Sequence, residues 1–452
     1  MNEFISKAFE ELERSGVDYC ILRNYGELPH TLPKGDVDIL IEYRYGIFNY
    51  VERIVARIAR SCGWSLHARL RHSVVSLNLY YSKIVYGKVQ TINLEFSSVV
   101  AVYIKTKYRE VGYCYLHTSD VIATRKSHNG LHVISDEYEF VHLLCELLFN
   151  EKEKYEERLI SLFSRIPNSK NLKEVVAAVF GDVVGEELVG AVGEKKFDTL
   201  KSNLKKIYES FERLNRSSRY WYFFRDLMSV KEHFVQYLFP AGKLCVILGP
   251  DGSGKTFLAD RFAAKHNRAF SKIRRIHLGN RPIILNSLRG RGDTLGERNQ
   301  VDANQEGKFH DGKMPESYSR SYNTARFIYH YMDYVLHYWF FLRVKISNGE
   351  LVLSERYIYD YVVSPDRYIC GVPLWIKSLL SGLTPQPDIL INLVVDPIVL
   401  LDRKRELPLE LLEKEQAGYR NIKKGKVRVN VDNKGEPQMA ISQIEKVVFD
   451  LK

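Results

Sequence analysis

The chain has no closely spaced cysteines. Cys20, Cys62, Cys114, Cys145, Cys245 and Cys370 lie far apart, without a C-x-x-C pair among them, and a reducing cytoplasm is the natural inference. Cys245, inside a short apolar run, reads as a small core residue. The first residues, Met1-Asn2-Glu3-Phe4-Ile5-Ser6-Lys7, lack the charged and apolar regions of a signal peptide. No uninterrupted apolar stretch approaches membrane-spanning length, so no transmembrane segment is expected. Internal repeats and low-complexity tracts are also missing. The formal charge is +11, but the basic residues are spread along the chain and no aromatic-basic motif such as RNP1 is present. Nucleic acid is therefore not the expected partner; polyphosphate ligands and an anionic membrane surface account for the charge as well.

What is present is the composition of a soluble globular protein: 452 residues, 45% apolar and 27% charged. That length accommodates two or three domains, each with its own core. Residues 1–150 combine a leading helix, Glu3 to Arg14, with short β-type runs at Tyr19–Leu22, Val37–Tyr43, Val74–Tyr81 and Val89–Phe96, which predicts an α+β domain. Residues 151–240 are of helical type, the helical pattern itself beginning near residue 136, with interruptions at Ile166–Ser169, Gly181 and Gly193; they are expected to form a helical connector. Within them, Tyr220-Trp221-Tyr222-Phe223-Phe224 fits a helix packing its apolar face better than a base-stacking platform. Phe239-Pro240-Ala241-Gly242 breaks the helical pattern. Residues 241–452 then alternate strands and helices, which predicts an α/β domain with a parallel sheet flanked by helices.

The most specific motif is Gly249-Pro250-Asp251-Gly252-Ser253-Gly254-Lys255-Thr256, which fills every fixed position of the phosphate-cradling G-x-x-x-x-G-K-S/T loop. It follows the apolar run Lys243–Leu248 and precedes a helical pattern, Phe257 to Ala264. The glycines let backbone N–H groups turn inward around a phosphate at a helix N-terminus. Lys255 is expected to reach the β and γ phosphates of ATP, and Thr256 to ligate Mg²⁺.

Downstream, Leu351-Val-Leu-Ser-Glu-Arg-Tyr357 is an apolar strand ending in Glu355 and Arg356. Ligands of parallel α/β sheets bind at the carboxyl ends of strands, so both side chains are expected beside the loop, Glu355 toward Mg²⁺ and Arg356 toward a phosphate. A later strand, Asp388 to Val395, ends in Asp396-Pro397, a helix N-cap and a favoured first helical residue. The helix beginning there carries Arg403, Lys404 and Arg405 and is followed by a second from Leu409 to Tyr419. An Arg-bearing flap of this kind excludes water and neutralises transferring oxygens.

The ordered set of these motifs resembles the thymidylate kinase family of nucleoside monophosphate kinases. In that family an acid stands four residues before the P-loop Lys, as Asp251 does here, one strand ends in D-R-Y/F, and another ends in D-P before an Arg-bearing lid. The chain carries Glu355-Arg356-Tyr357 at the D-R-Y position. The resemblance implies that Asp251 contacts the acceptor sugar and Arg356 the acceptor phosphate, and that Arg403 and Arg405 belong to the lid. It also implies an ATP- and Mg²⁺-dependent kinase, with dTMP the leading acceptor and a homodimer as a candidate assembly. It weakens at 275–325, where Arg281, Arg320 and Arg326 are candidates for acceptor binding. Two alternatives stay open: a phosphorylated sugar or surface-glycan precursor as acceptor, and an NTP-binding regulatory module without transfer.

In the N-terminal region, Gly35-Asp36-Val37-Asp38-Ile39-Leu40-Ile41 sets carboxylates at i and i+2 at the start of a strand, expected on one face, a pattern able to hold paired Mg²⁺ ions. This resembles the nucleotidyltransferase superfamily, in which a third acid comes from a neighbouring strand. Asn93 stands at that place and Glu95 lies two residues on, on the same face; Leu22-Arg23-Asn24-Tyr25 stands where the superfamily has Gly-Ser. The pairing of the two halves resembles two-domain proteins associated with surface-polysaccharide genes.

Overall fold

The computed structural model describes residues 3–33, 35–105, 110–166, 170–215, 225, 227–278, 319–365, 372–403, 408–433 and 437–449. The expectations placed on Tyr220–Phe224, Arg281, Lys404 and Arg405 lie outside these residues, as does Cys370. The chain divides into two compact units: Met1–Tyr81 with Thr91–Phe234, and Ser82–Gln90 with Val235–Lys452.

The first unit opens with helix α1 (Glu3–Arg14), whose Phe4, Ile5, Ala8, Phe9 and Leu12 recur at helical spacing and are all buried. Strands β1 (Tyr19–Arg23) and β2 (Val37–Ile41) follow, then α2 (Ile47–Ser61), β3 (Ser65–Ser73), β4 (Ser76–Val85) and β5 (Lys88–Ser97). A separate antiparallel pair, β6 (Val100–Lys105) and β7 (Glu110–Leu116), leads through α3 (Thr118–Ala123) to β8 (Lys126–His128) and β9 (Leu131–Val133). The main sheet has seven strands in the order β3-β4-β5-β2-β1-β9-β8. It is mixed: β1 runs antiparallel to β2, and β2 parallel to β5. The expected strand at Val74–Tyr81 begins at Ser76, because Val74 and Val75 turn the chain from β3, a strand that the sequence pattern did not single out. The interleaved charges of Ser65–Ser73 obscure its alternation.

Helices α4 (Asp136–Asn150), α5 (Glu156–Arg165), α6 (Lys170–Phe180), α7 (Asp182–Gly193), α8 (Phe197–Ser202) and α9 (Leu204–Asn215) follow. Expected as a connector, α5 to α9 instead join the core of the N-terminal sheet, through Leu159, Leu162, Leu172, Val176, Phe180 and Phe211. Their apolar stripes need a partner to be buried, and α4, buried on nearly all sides, supplies part of it. Buried polar groups of α4 find partners: Tyr25 donates to Glu139 at 2.5 Å, Arg158 Nε to Glu139 at 2.9 Å, and Tyr115 meets His142 Nδ1 at 2.6 Å, while His142 Nε2 has none among the described residues. Helix α10 (Val230–Leu238) ends where the Phe239–Gly242 break was expected.

The second unit is a P-loop α/β arrangement. Strands β10 (Lys243–Leu248), β11 (Ile273–Ile276), β12 (Leu351–Ser354), β13 (Ile389–Val394) and β14 (Val427–Asp432) form one sheet in the order β11-β12-β10-β13-β14. Every neighbouring pair is parallel. Its helices are α11 (Lys255–Lys265), α12 (Arg320–His337), α13 (Arg343–Ser347), α14 (Asp360–Val363), α15 (Leu374–Leu383), α16 (Pro397–Arg403), α17 (Leu409–Asn421) and α18 (Pro437–Phe449). The central strands are largely apolar on both faces, Asn392 of β13 apart, and buried on both, as a parallel sheet flanked by helices requires. β10 lies between β12 and β13, so the loop after it opens where the connections diverge.

Candidate functional site

The loop after β10 is built by glycines in left-handed backbone: φ is 84° at Gly252 and 89° at Gly254. A Cβ on Gly254 would sit 2.9 Å from Asn433 Nδ2, and one on Gly249 2.9 Å from Ser253 Oγ. Asn433, just after β14, donates from that same Nδ2 to Ser253 O at 2.8 Å and pins the loop from the neighbouring strand end. Ser253 Oγ is buried with no hydrogen-bond partner among the described residues. An unfilled hydroxyl in a concave loop at the N-terminus of α11 fits a phosphate oxygen.

Lys255 begins α11 and folds back over the loop, donating to Gly249 O at 2.8 Å and Pro250 O at 2.9 Å, with Asp251 at 3.5 Å. Burial draws its ammonium below the usual lysine range, opposed by Asp251. An arriving phosphate would replace the loop carbonyls as its partner. The next residue, Thr256, donates from Oγ1 to Glu355 Oε2 at 2.5 Å, and Arg275 of β11 donates to Glu355 Oε1 at 2.7 Å. Arg275 also pairs with Asp260 of α11. A threonine hydroxyl and a carboxylate oxygen side by side are a hard-oxygen donor pair of the kind that holds Mg²⁺ together with waters and substrate phosphates.

Arg356, one residue beyond Glu355, donates to Asp251 Oδ1 at 3.1 Å and lies 3.7 Å from Asp360 Oδ2. Asp360 is buried and accepts from Tyr419 of α17 at 3.2 Å. Burial pushes its carboxyl up to about 6, against the pull of Arg356 and Lys255. Asp396 accepts from Ile398 N at 3.0 Å, which is the expected N-cap, with Pro397 as the first helical residue of α16. Arg403, at the other end of that helix, donates to Gly252 O at 3.4 Å. The structure thus brings together Gly249 to Thr256, Glu355, Arg356 and Arg403. Arg320 and Arg326 fall on α12; Arg320 is exposed and Arg326 partly buried.

Sequence reasoning missed Asn433, Arg275 and Asp360. Only Asp360 left a trace, an acid four residues after Arg356. The other two are far from every motif in the chain, and only strand adjacency brings them in.

The candidate site of the first unit differs from expectation. Asp36 is exposed and precedes β2, whose first residue is Val37, so the two aspartates do not both belong to the strand. Asp38 is buried on β2 directly beside Glu95 of β5. Burial pushes Glu95 up to about 7, helped by Asp38 and Asp36, and raises Asp38 despite its partner Arg23. That partner decides the local charge: Arg23 Nε donates to Asp38 Oδ2 at 2.5 Å, and its Nη1 reaches Glu146 Oε2 and the Tyr155 hydroxyl, each at 3.3 Å. A guanidinium thus holds Oδ2, one of the two carboxylate oxygens of Asp38. Among the described residues no group of three or more His, Cys, Asp or Glu is arranged to hold a metal ion. Asp36, Asp38 and Glu95, as placed, do not fit a metal pair.

The chain matches no protein-family model and no curated protein sequence. Among solved structures it is similar to thymidylate kinase from Candida albicans, at 18% identity over 46% of this chain and 91% of that one, with a TM-score of 0.32. It is also similar to thymidylate kinase from Ehrlichia chaffeensis, at 16% identity over 46% of this chain and 100% of that one, with a TM-score of 0.30. The P-loop α/β fold of the second unit is established by its own strand order and loop geometry.

Proposed function

We propose that the protein is a P-loop kinase that transfers the γ-phosphoryl group of ATP to a nucleoside monophosphate, with dTMP the acceptor that the motif set favours, and that residues 241–452 are the catalytic domain. The observation that carries this reading is the contact of Thr256 with Glu355 at 2.5 Å, beside Lys255 and with Arg356 on the same strand end. It joins a triphosphate cradle, a hard-oxygen pair and a phosphate-binding arginine in one crevice.

The loop N–H groups and Lys255 hold the β and γ phosphates, and Asn433 keeps the loop in its receptive shape. Mg²⁺ held by Thr256 and Glu355 would screen the phosphate charge. Arg356 exchanges Asp251 for the acceptor phosphate, whose oxygen attacks the γ phosphorus as the bond to the β–γ bridging oxygen breaks. Arg403, with Arg405 of the same lid, neutralises the charge spread over the transferring oxygens. Asp251, as Arg356 turns to the acceptor phosphate, accepts from an acceptor hydroxyl.

The test is incubation of the protein with labelled ATP, Mg²⁺ and a panel of nucleoside monophosphates and sugar phosphates. Label on a nucleoside diphosphate supports the proposal; label on a sugar alone moves the acceptor to that class, and ATP binding without any transfer rejects kinase activity. A second, nucleotidyltransferase activity of residues 1–150, with 151–240 as a helical partner, requires Arg23 to give up Asp38 to a metal. Pyrophosphate release from nucleoside triphosphates by the whole chain tests it.

A further inference from the structure

Helix α15 packs Ile376 and Leu380 against the core of the second unit, beside Lys377 and Ser381 at 0% and 6% exposure, while Trp375, Leu379 and Leu383 on the opposite side are 68%, 54% and 67% exposed. The spacing of these apolar residues, i, i+4 and i+8, aligns them in one stripe, and Leu374 extends it at the helix start. The inward polar groups are accommodated: Lys377 Nζ donates to Pro365 O at 2.8 Å and Ser381 to Ser378 O at 2.9 Å. The Lys377 tether and the packing of Ile376 and Leu380 against the core fix the orientation, and the apolar stripe is held outward. A continuous exposed stripe of this kind marks a surface that another phase or molecule covers.

Charge beside the stripe indicates what covers it. A Cβ on Gly382, within the same helix, would lie 3.7 Å from Lys424 Nζ. Lys424 belongs to a run containing Arg420, Lys423, Lys424, Lys426 and Arg428 with no acid among them. Arg420, Lys423, Lys426 and Arg428 are exposed. Lys426 also pairs with Asp388 at 2.6 Å while its side chain stays 71% exposed. Tryptophan and leucine on one face, edged by cations, match an anionic bilayer: the indole favours the headgroup level, leucines the acyl boundary, and ammonium groups lipid phosphate.

We infer that the α15 stripe and the adjoining 420–428 basic run form a docking surface for an anionic lipid bilayer, on which the second unit rests peripherally. No helix among the described residues is long and apolar enough to cross a membrane, so attachment through this surface is interfacial and reversible.

The test is co-sedimentation of the whole chain with phosphatidylcholine vesicles, with and without phosphatidylglycerol. The wild-type protein is expected to bind the anionic vesicles at least about tenfold better than the neutral ones, and to weaken as salt is raised. Leu379→Gln with Leu383→Gln should lower that binding about tenfold or more while leaving the unfolding midpoint and ATP-dependent turnover unchanged. Lys423→Gln with Lys424→Gln, just after α17 and outside any helix, should remove the preference for anionic lipid and serves as the second variant if the leucine pair fails to fold. Equal binding to both vesicle types, or binding undiminished in the variants, overturns the inference. So does a wild-type protein that ignores vesicles but forms dimers that the leucine variant dissociates, since a second copy would then be the occupant.

Discussion

Thr256 Oγ1 lies 2.5 Å from Glu355 Oε2, a contact between the first turn of the helix after the P-loop and the end of a strand 99 positions later in sequence. It ties the P-loop to the strand end that also carries Arg356. The P-loop and Arg356 are therefore positioned by one parallel strand pair, β10 with β12, in register from Lys243 with Leu351.

Lys255→Ala is expected to abolish phosphoryl transfer with little change in the unfolding midpoint. The side chain donates to the Gly249 and Pro250 carbonyls and lies beside Asp251, all within the loop. Turnover and thermal unfolding of the same preparation check this; wild-type turnover in the folded variant would rule out the assigned role.

Arg356→Ala should raise the acceptor KM or lower kcat by about 100-fold, the loss of a charge-assisted contact of ~3 kcal/mol, with ATP affinity almost unchanged. Separate titrations of ATP and acceptor decide between this and a donor-side role. A collapse of ATP binding with normal acceptor affinity would reassign the residue.

Gly254→Ala should cost about 1–3 kcal/mol of stability and most of the ATP affinity. The backbone there has φ 89°, and the added methyl would press to 2.9 Å from Asn433 Nδ2, the donor that holds Ser253 O. Equilibrium denaturation together with ATP titration measures both effects. Asn433→Ala, which removes the obstruction, should weaken ATP binding as well, by releasing the loop.

Asp360 gives a pH signature. Its folded pKa, raised to about 6 from 3.8, lies above the unfolded value, so its protonated form favours the fold. That contribution is complete below about pH 4 and is lost as pH rises through 6, a change on the order of 3 kcal/mol. Asp360→Asn should flatten this part of the stability profile between pH 4 and 7, read by denaturant unfolding at a series of pH values. An unchanged slope would show that Asp360 ionises normally.

Asp36→Asn with Asp38→Asn should spare kinase turnover, because these residues belong to a unit with its own core. The fold should persist, since Arg23 keeps its contact with Glu146. Phosphoryl transfer by the double variant, measured beside the wild type, is the check; loss of transfer in a folded protein would show that the two sites are coupled.

Legibility in the sequence followed the range of the interaction. The loop Gly249 to Thr256, the Asp396-Pro397 helix start and the helix Glu3–Arg14 were readable because each is specified by neighbours: glycines supplying left-handed backbone, an acid capping the N–H two residues on, apolar residues returning every third or fourth position. β10 and β13 were equally plain, since strands buried on both faces read as nearly continuous hydrophobic runs, broken in β13 by Asn392. Tertiary structure alone decided the pairings. Parallel packing of β14 beside β13 carries Asn433 to the P-loop, and β11 beside β12 carries Arg275 to Glu355. In the first unit, β1 beside β2 sets Arg23 on Asp38, where the sequence pattern suggested a metal. Burial then raised Glu95 and Asp360 into the neutral range, because desolvation depends on what the rest of the chain stacks around a carboxyl group and leaves no mark on the residues beside it.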